Sequence, residues 1–487
     1  MARPKRRGED ESLGGGGADE LRLAVMGGSF DPFHKGHRKL LKRAAKALPG
    51  ARVSLMPSGE SYHKAGRRTP GIYRYYLAQL GLKDKDSFAI DSCELARRGP
   101  SYTWDSYQDF CRRYPQLKQW QLICGSDVPG KIELWHRAPE LLQAIGLAVL
   151  TRPETERGTL VQRLEELEAR YGTAWTLVEG KEVPLSSTAI RRGVQAEFAS
   201  RRRMYAQLLE QRKDRRSQKQ EGAEGPAEPT LVLQHLEEAE AQLADRQALE
   251  NWRSALRPAQ VDFILQHELY VVDVLYEALD EASWQLMRDL EALLFQYLSP
   301  ARILHSWGVA TTALILALRF GEDPCLAALA GLGHDIAKEL DKQQVSTLLA
   351  PYGEGLGLKR QALVHGPAGA ALLARELGLD HPDLASAVYW HTTLHAGSRP
   401  LEQIVFLADK IEPGRSYQDL APIRALAEQD LEAATYLCLA ATTSQVRRQK
   451  LEADPDSLRA LEELGVKLEQ RRSPWAQKAL SEARNLE

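Results

Sequence analysis

The chain has 487 residues, 43% of them hydrophobic, with 64 Lys and Arg against 66 Asp and Glu for a net charge of −2. That length predicts more than one domain, and the near balance of charge excludes a global pull toward nucleic acid or an anionic membrane. No run approaches the roughly 18 apolar residues of a membrane span, and the five cysteines (Cys93, Cys111, Cys124, Cys325, Cys438) form no CxxC pair, which points to a reduced, cytoplasmic setting.

In chain order, residues 1–20 are charged and glycine-rich, with no signal-peptide core, and read as a flexible tail. Leu21 to Met26 is a short apolar run suited to a buried parallel strand. Gly27 and Gly28 follow, then Pro32, then His34-Lys35-Gly36-His37 leading into the helical stretch RKLLKRAAKAL. A strand, a glycine turn and a helix start place free backbone N–H groups and the positive helix end at one spot, which favours phosphate. The two histidines add donors able to carry positive charge. The alternative is a turn whose histidines only cap a helix.

Strand candidates then alternate with helical stretches: Arg52 to Met56, Ser87 to Asp91, Gln119 to Cys124, Gly146 to Thr151 and Ala174 to Val178. Such alternation predicts an α/β fold, a parallel sheet with helices on both faces and its site at the strand C-terminal ends. Chemistry-bearing residues fall there: Pro57-Ser58 with His63-Lys64 shortly beyond, Ser101 to Asp105 (SYTWD), Gly125-Ser126-Asp127, and Trp135 eight residues after Asp127. In Pro184 to Arg191 (PLSSTAIR), Ser186 can cap a helix whose first N–H groups, with the Ser187 and Thr188 hydroxyls, face an anion, while Arg191 offers a fork suited to phosphate.

GGSFDPFHKGH resembles the signature GG(S/T)FDPxHxGH of the bacterial nicotinate-nucleotide adenylyltransferases, and PLSSTAIR is similar to that family's (I/V)SSTxIR. The resemblance implies a Rossmann-like nucleotidyltransferase domain in which a mononucleotide phosphate attacks the α-phosphate of ATP, with Mg²⁺, releasing pyrophosphate. It implies ATP binding by Gly27, Gly28, Ser29, Phe30, His34, His37, Gly125, Asp127, Ser187, Thr188 and Arg191, with His34, His37 and Arg191 catalytic. Lys64, Thr103 and Trp135 would hold nicotinate mononucleotide, Trp135 stacking on its electron-poor ring. The family segment that should follow the last helix, vPxxVxxYIxxHxLY, resembles Leu256 to Tyr270 here, so residues 196–255 read as an insertion: basic first, then rich in Gly and Pro, then acidic. Its basic part reads as a solvated helical arm, with RNA or polyphosphate binding as the alternative.

From Val272 onward strand signals vanish and periodic apolar helices run to the end. Spaced among them are His305, His334-Asp335, His365, His391 and Asp409, imidazoles and carboxylates without thiolate, a set suited to Fe, Mn or Zn. Their contexts (SPARILH, GLGHDIAK, VHG, YWHTT, FLADKIEPGR) resemble the YqeK type of HD-superfamily phosphohydrolases, symmetric diadenosine tetraphosphate hydrolases, over roughly residues 277–464. That resemblance implies an all-α domain with a two-metal centre, iron by implication, held by those six residues. Asp335 and Lys338 would be catalytic, and Lys338 and Arg415 would neutralise substrate phosphates. One departure is Leu394-His395, where that family usually has glycine after HTT.

The expected organisation is a tail (1–20), an adenylyltransferase domain (21–271) and an HD phosphohydrolase domain (272–487). The expected ligands are ATP, nicotinate mononucleotide and diadenosine tetraphosphate, with no membrane and no nucleic acid; a homo-oligomer stays open. The rivals are a different mononucleotide acceptor for the first domain, and a nucleotidase or a metal-bound nucleotide sensor for the second.

Overall fold

Leu21–Gly28 forms β1, and the first unit is built outward from it. In this computed structural model the described residues are 20–59, 69–83, 86–151, 156–180, 185–221, 252–352, 363–417 and 420–486. They divide into two compact units, one of residues 20–199 with 252–265 and one of residues 200–221 with 266–486.

The first unit runs β1, α1 (Lys35–Ala47), β2 (Arg52–Pro57), α2 (Gly71–Gly81), β3 (Phe88–Ile90), α3 (Thr103–Arg113), β4 (Leu117–Gly125), α4 (Ala138–Ala144), β5 (Gly146–Leu150), α5 (Arg157–Tyr171), β6 (Trp175–Val178) and α6 (Ser187–Glu197). The strands make one parallel six-stranded sheet in the order β3-β2-β1-β4-β5-β6. Alternation along β1 explains the two layers. Leu23 and Val25 enter the core with Phe110, Trp120 and Leu164 on one face; Ala24 and Met26 enter the core with Leu41, Ala44 and Leu55 on the other. The strand order reverses between β1 and β4, so the loops after these strands leave a crevice, the usual ligand position in such sheets.

The chain returns to this unit through α8 (Trp252–Ala255) and α9 (Pro258–Gln266). The Trp252 indole donates to Glu197 Oε2 (2.8 Å), Lys35 Nζ to the Ser254 carbonyl (2.6 Å) and an Arg257 nitrogen to the Leu80 carbonyl (2.9 Å).

The second unit is helical among its described residues. Between α6 and α8 lies α7 (Ala199–Glu221). Later come α10 (Glu281–Tyr297), α11 (Pro300–Phe320), α12 (Pro324–Gly333), α13 (Lys342–Leu349), α14 (His365–Leu377), α15 (Pro382–Trp390) and α16 (Pro400–Ile411). The last four are α17 (Leu420–Ala427), α18 (Leu431–Arg448), α19 (Pro455–Gln470) and α20 (Pro474–Arg484). A Tyr276–Trp284–Trp307 cluster, with centroids 5.2 to 6.5 Å apart, anchors α10 to α11. By length and composition α11 could cross a membrane, yet most of its apolar window is buried within the unit and it supplies His305 to the cluster described below, as a core helix does.

The start of α7 departs from the expected solvated arm. Tyr205, Ala206 and Leu209 are buried. Arg201 and Tyr205 bond Glu268, Arg202 bonds Asp273 and the Tyr270 carbonyl, and Arg212 donates to the Ala278 carbonyl (3.1 Å). The charged sequence hid a short apolar stripe that needs cover. Those contacts also carry residues 266–271 with the second unit, so contacts divide the chain after Leu265, whereas the sequence reading divides it after Val271.

Candidate functional sites

At the β1–β4 crevice a cavity of about 1240 Å³ opens. Gly27, Gly28, Ser29, Phe30, His34 and His37 line it from β1 and the following turn, Gly125 and Asp127 from the end of β4, and Ser187, Thr188 and Arg191 from α6. Thr103 and Trp135 line it at another side, with the exposed Leu134 at the rim. Lys64 and His63 lie outside the described residues.

The two histidines form a reciprocal cap on α1. His34 is its N-cap, and its Nδ1 accepts from the backbone N–H of Gly36 (3.1 Å) and His37 (3.4 Å), while His37 Nδ1 accepts from the His34 N–H (3.3 Å). Gly36 is required here, because a Cβ would sit 2.8 Å from the His34 ring. The rings stack at 3.8 Å, with Phe33 stacked on His37. Burial lowers the pKa of His34 to about 4; burial, then the neighbouring His34, lowers that of His37 to about 3. Both rings are therefore neutral near pH 7 and act there as donors without charge. Because each Nδ1 accepts, each Nε2 carries the hydrogen, and the cap fixes the donor tautomer.

Ser186 caps α6 through the Ala189 N–H (3.5 Å). Ser187 Oγ donates to the Pro32 carbonyl (2.9 Å), and Arg191 donates to the Asp31 carbonyl (2.6 Å) and to Thr188 Oγ1 (3.3 Å). The Ser187 and Arg191 side chains thus tie α6 to the turn after β1, a part the spacing did not disclose. Sequence reasoning also passed over Arg43 and over His136, which stacks on Tyr102 of the SYTWD segment (4.4 Å); all three line the cavity. Gln260, almost fully buried, was passed over too; its Nε2 donates to the carbonyls of Phe33 (2.7 Å) and Leu77 (2.8 Å). No local pattern singles out that glutamine.

In the second unit the expected metal residues converge from the ends and middles of five helices. His305 comes from α11, His334 and Asp335 from the end of α12, His365 from the first position of α14, His391 from the end of α15 and Asp409 from α16. Two groups can each hold an ion, His305–His334–Asp335 and Asp335–His365–His391, with ligand atoms within 4.8 Å of one another and Asp335 common to both. Asp335 Oδ1 is 3.2 Å from His365 Nε2 and 3.5 Å from His391 Nε2; its Oδ2 is 3.8 Å from His334 Nε2. Asp409 Oδ1 lies 3.0 Å from His305 Nε2.

The donor set fits divalent cations. His334 Nδ1 donates to the Gly331 carbonyl and His391 Nδ1 to the Val388 carbonyl, both at 2.7 Å, which leaves each Nε2 as a lone pair facing the cluster. His334 Nε2 is buried without a hydrogen-bond partner. A buried orphan of this kind is costly unless a cation takes it up. Burial alone would raise the pKa of Asp335, but the imidazoles around it hold it far below the usual carboxylate range. Burial likewise takes His334 down to about 3, despite the opposing pull of Asp335.

Cations border the cluster. Lys338 Nζ is 2.9 Å from His365 Nε2 and 3.6 Å from Asp335; Arg415 donates to Asp409 Oδ1 at 2.7 Å. Arg302 (3.3 Å from Asp335), Lys410 (2.5 Å from Asp409) and Glu412 (3.1 Å from His305 Nδ1) also touch it; all three stand inside the motifs read from sequence, without a role assigned there. Leu394, in the glycine position, takes φ 56° and is fully buried, and His395 pairs with Glu402 at 3.0 Å.

Comparison with known proteins finds relatives of both parts of the chain. Residues 25–193 match the cytidylyltransferase-like family and residues 302–414 the HD domain family. A relative from Clostridium botulinum, named "Probable nicotinate-nucleotide adenylyltransferase", is 31% identical over 36% of this chain and 86% of its own length. A Bacillus subtilis relative named "Bis(5′-nucleosyl)-tetraphosphatase, symmetrical" is 34% identical over 33% of this chain and 88% of its own. A Mycoplasma pneumoniae relative named "Probable nicotinate-nucleotide adenylyltransferase/Ap4A hydrolase" is 22% identical over 85% of this chain and 97% of its own.

Proposed function

The chain belongs to the nicotinate-nucleotide adenylyltransferase family through its first unit and to the symmetrical bis(5′-nucleosyl)-tetraphosphatase family through its second, and from this we propose one enzyme with two activities. The first joins ATP and nicotinate mononucleotide into nicotinate adenine dinucleotide. The second cleaves diadenosine tetraphosphate into two ADP.

For the first activity, support comes from a single cavity that gathers the His34–His37 cap, the α6 start and the Trp135 side. The mononucleotide phosphate oxygen attacks the α-phosphorus of ATP in line, and pyrophosphate leaves. This chemistry needs positioning and charge neutralisation, with no covalent nucleophile. The His34 and His37 Nε2–H groups serve as neutral donors to the ATP phosphates. The α6 N–H groups add positive dipole, and Arg191 supplies the fixed charge. Trp135 stacks on the pyridine ring, with Thr103 near the nicotinate carboxylate. Mg²⁺ bound with ATP would supply further charge neutralisation.

For the second activity, support comes from the two ligand groups sharing Asp335. His305, His334, His365, His391, Asp335 and Asp409 would hold two divalent ions, iron being our choice for this N/O donor set. When bound, such ions supply Lewis acidity toward phosphate oxygens. Lys338 and Arg415, beside the cluster, receive the polyphosphate and offset its charge. With all five cysteines free, a reduced cytoplasmic setting suits both activities.

Incubating the purified chain with ATP and each acceptor (nicotinate mononucleotide, nicotinamide mononucleotide, pantetheine phosphate) tests the first activity; preference for either of the last two overturns it. Diadenosine tetraphosphate with iron-loaded protein should yield ADP alone; AMP plus ATP, or no turnover, overturns the second.

A further inference from the structure

Three histidines of the HD cluster have their Nδ1–H held, and one is held differently. His334 and His391 sit at helix C-terminal ends, where carbonyls are free of the helical ladder, and each donates to the carbonyl three residues back. His305 lies in the second turn of α11, where those carbonyls are taken up by the helix itself. Its Nδ1 instead meets Glu412 Oε1 at 3.1 Å, from the turn after α16. Glu412 is only 3% exposed, and its Oε2 accepts the Gly414 N–H at 2.5 Å. The slot it fills is cut by Gly308, one turn after His305, where a Cβ would lie 2.6 Å from Oε2. His267, also buried, lies within electrostatic reach of Glu412.

We propose that Glu412 is a positioning residue, holding the His305 ring in the orientation and tautomer that aim the Nε2 lone pair at the metal site. A carboxylate can only accept, so Nδ1 keeps its hydrogen, and Nε2, which Arg415 Nη2 meets at 3.2 Å and Asp409 Oδ1 at 3.0 Å, keeps the lone pair that would ligate. Glu412 acts through the His305 ring rather than on substrate or ion. This rests on the metal-dependent reading of the second unit.

The test uses the full chain. Metal-free protein is titrated with Zn²⁺ and Fe²⁺ against a chromophoric chelator, for wild type, Glu412→Ala and Glu412→Gln. Outer partners of this kind are worth roughly 10- to 100-fold in metal affinity. Glu412→Ala should weaken the site containing His305 by that factor, and Glu412→Gln, which keeps an acceptor, should recover most of it. Adenylyl transfer should stay unchanged in all three. Selective ¹⁵N-histidine labelling of zinc-loaded wild type needs no change at Glu412: the His305 signal, assigned by its loss in His305→Gln, should show a protonated Nδ1 and a ligated Nε2. Undiminished affinity in a folded Glu412→Ala protein, or Nδ1 ligation, overturns the proposal. Wild type that binds neither metal overturns the metal-dependent reading instead, and the proposal with it.

Discussion

Gln260 donates both hydrogens of its side-chain amide, one to the carbonyl of Phe33 and one to that of Leu77, at 2.7 and 2.8 Å. Phe33 immediately precedes His34, so a residue 226 positions downstream of that histidine braces the phosphate turn. Replacing Gln260 with Leu removes a hydrogen bond from each carbonyl and leaves that of Phe33 without its amide donor, a loss of about 1 to 3 kcal/mol. Adenylyl transfer by Gln260→Leu should fall at least tenfold in kcat/KM while tetraphosphate hydrolysis stays at wild-type rate. Steady-state assays of both activities on one preparation decide it; equal loss of both would refute the bracing role.

The buried histidine cap makes the first unit acid-sensitive. His34 at about 4 and His37 at about 3 lie below the 6.5 of an unfolded chain. The unfolded state therefore binds more protons, and stability rises with pH in that interval. The cap's contribution is complete above about pH 6.5 and drains away as pH falls from there toward 3. At 1.36 kcal/mol per unit, His34 alone is worth on the order of 3 kcal/mol at the acid end. Urea unfolding across pH 7 to 4, read by a brief deuterium pulse over α1 at one common pH, should show this slope, shallower in His34→Asn.

Asp335 is common to both candidate ion groups. Asp335→Asn should abolish tetraphosphate hydrolysis, by at least a thousandfold, and lower the bound metal below one ion per chain. Chelator treatment of wild type should do the same reversibly, and adenylyl transfer assayed with Mg²⁺ restored should persist in both. Elemental analysis beside the two assays checks each part.

Leu394 combines a left-handed backbone with complete burial. Glycine would relieve about 1 to 2 kcal/mol of backbone strain but forfeit about 2 to 5 kcal/mol of buried side chain. Packing outweighs strain, so Leu394→Gly should destabilise the second unit by about 1 to 3 kcal/mol. A lower thermal midpoint for loss of hydrolase activity is the expected reading; a raised midpoint would mean that strain dominates.

Tyr205 is buried on α7 and its hydroxyl bonds Glu268. Tyr205→Ala should cost the second unit about 3 kcal/mol, and deletion of residues 201–220 should cost more. A solvated arm would tolerate both changes, so unchanged melting would restore that view.

Strand–helix alternation, the HKGH turn and the spaced His and Asp residues were legible from the sequence because each is a local pattern, governed by backbone period or by ligand chemistry. The parallel sheet and the helical second unit follow from the same periodicities. The six candidate metal residues stood out as a set because imidazoles and carboxylates in apolar helical contexts suit a cation, and five of them meet in two groups that can hold an ion. Tertiary structure alone decided how these groups are held. The neutrality of His34 and His37 comes from burial, which no residue spacing reports. Gln260 and Glu412 act on partners 227 and 107 residues away in sequence, and α7 is covered by a segment some 60 residues on. Local pattern chooses the elements and the reactive side chains. Orientation and protonation depend on what the folded chain brings against them, because hydrogen bonding and desolvation act through space.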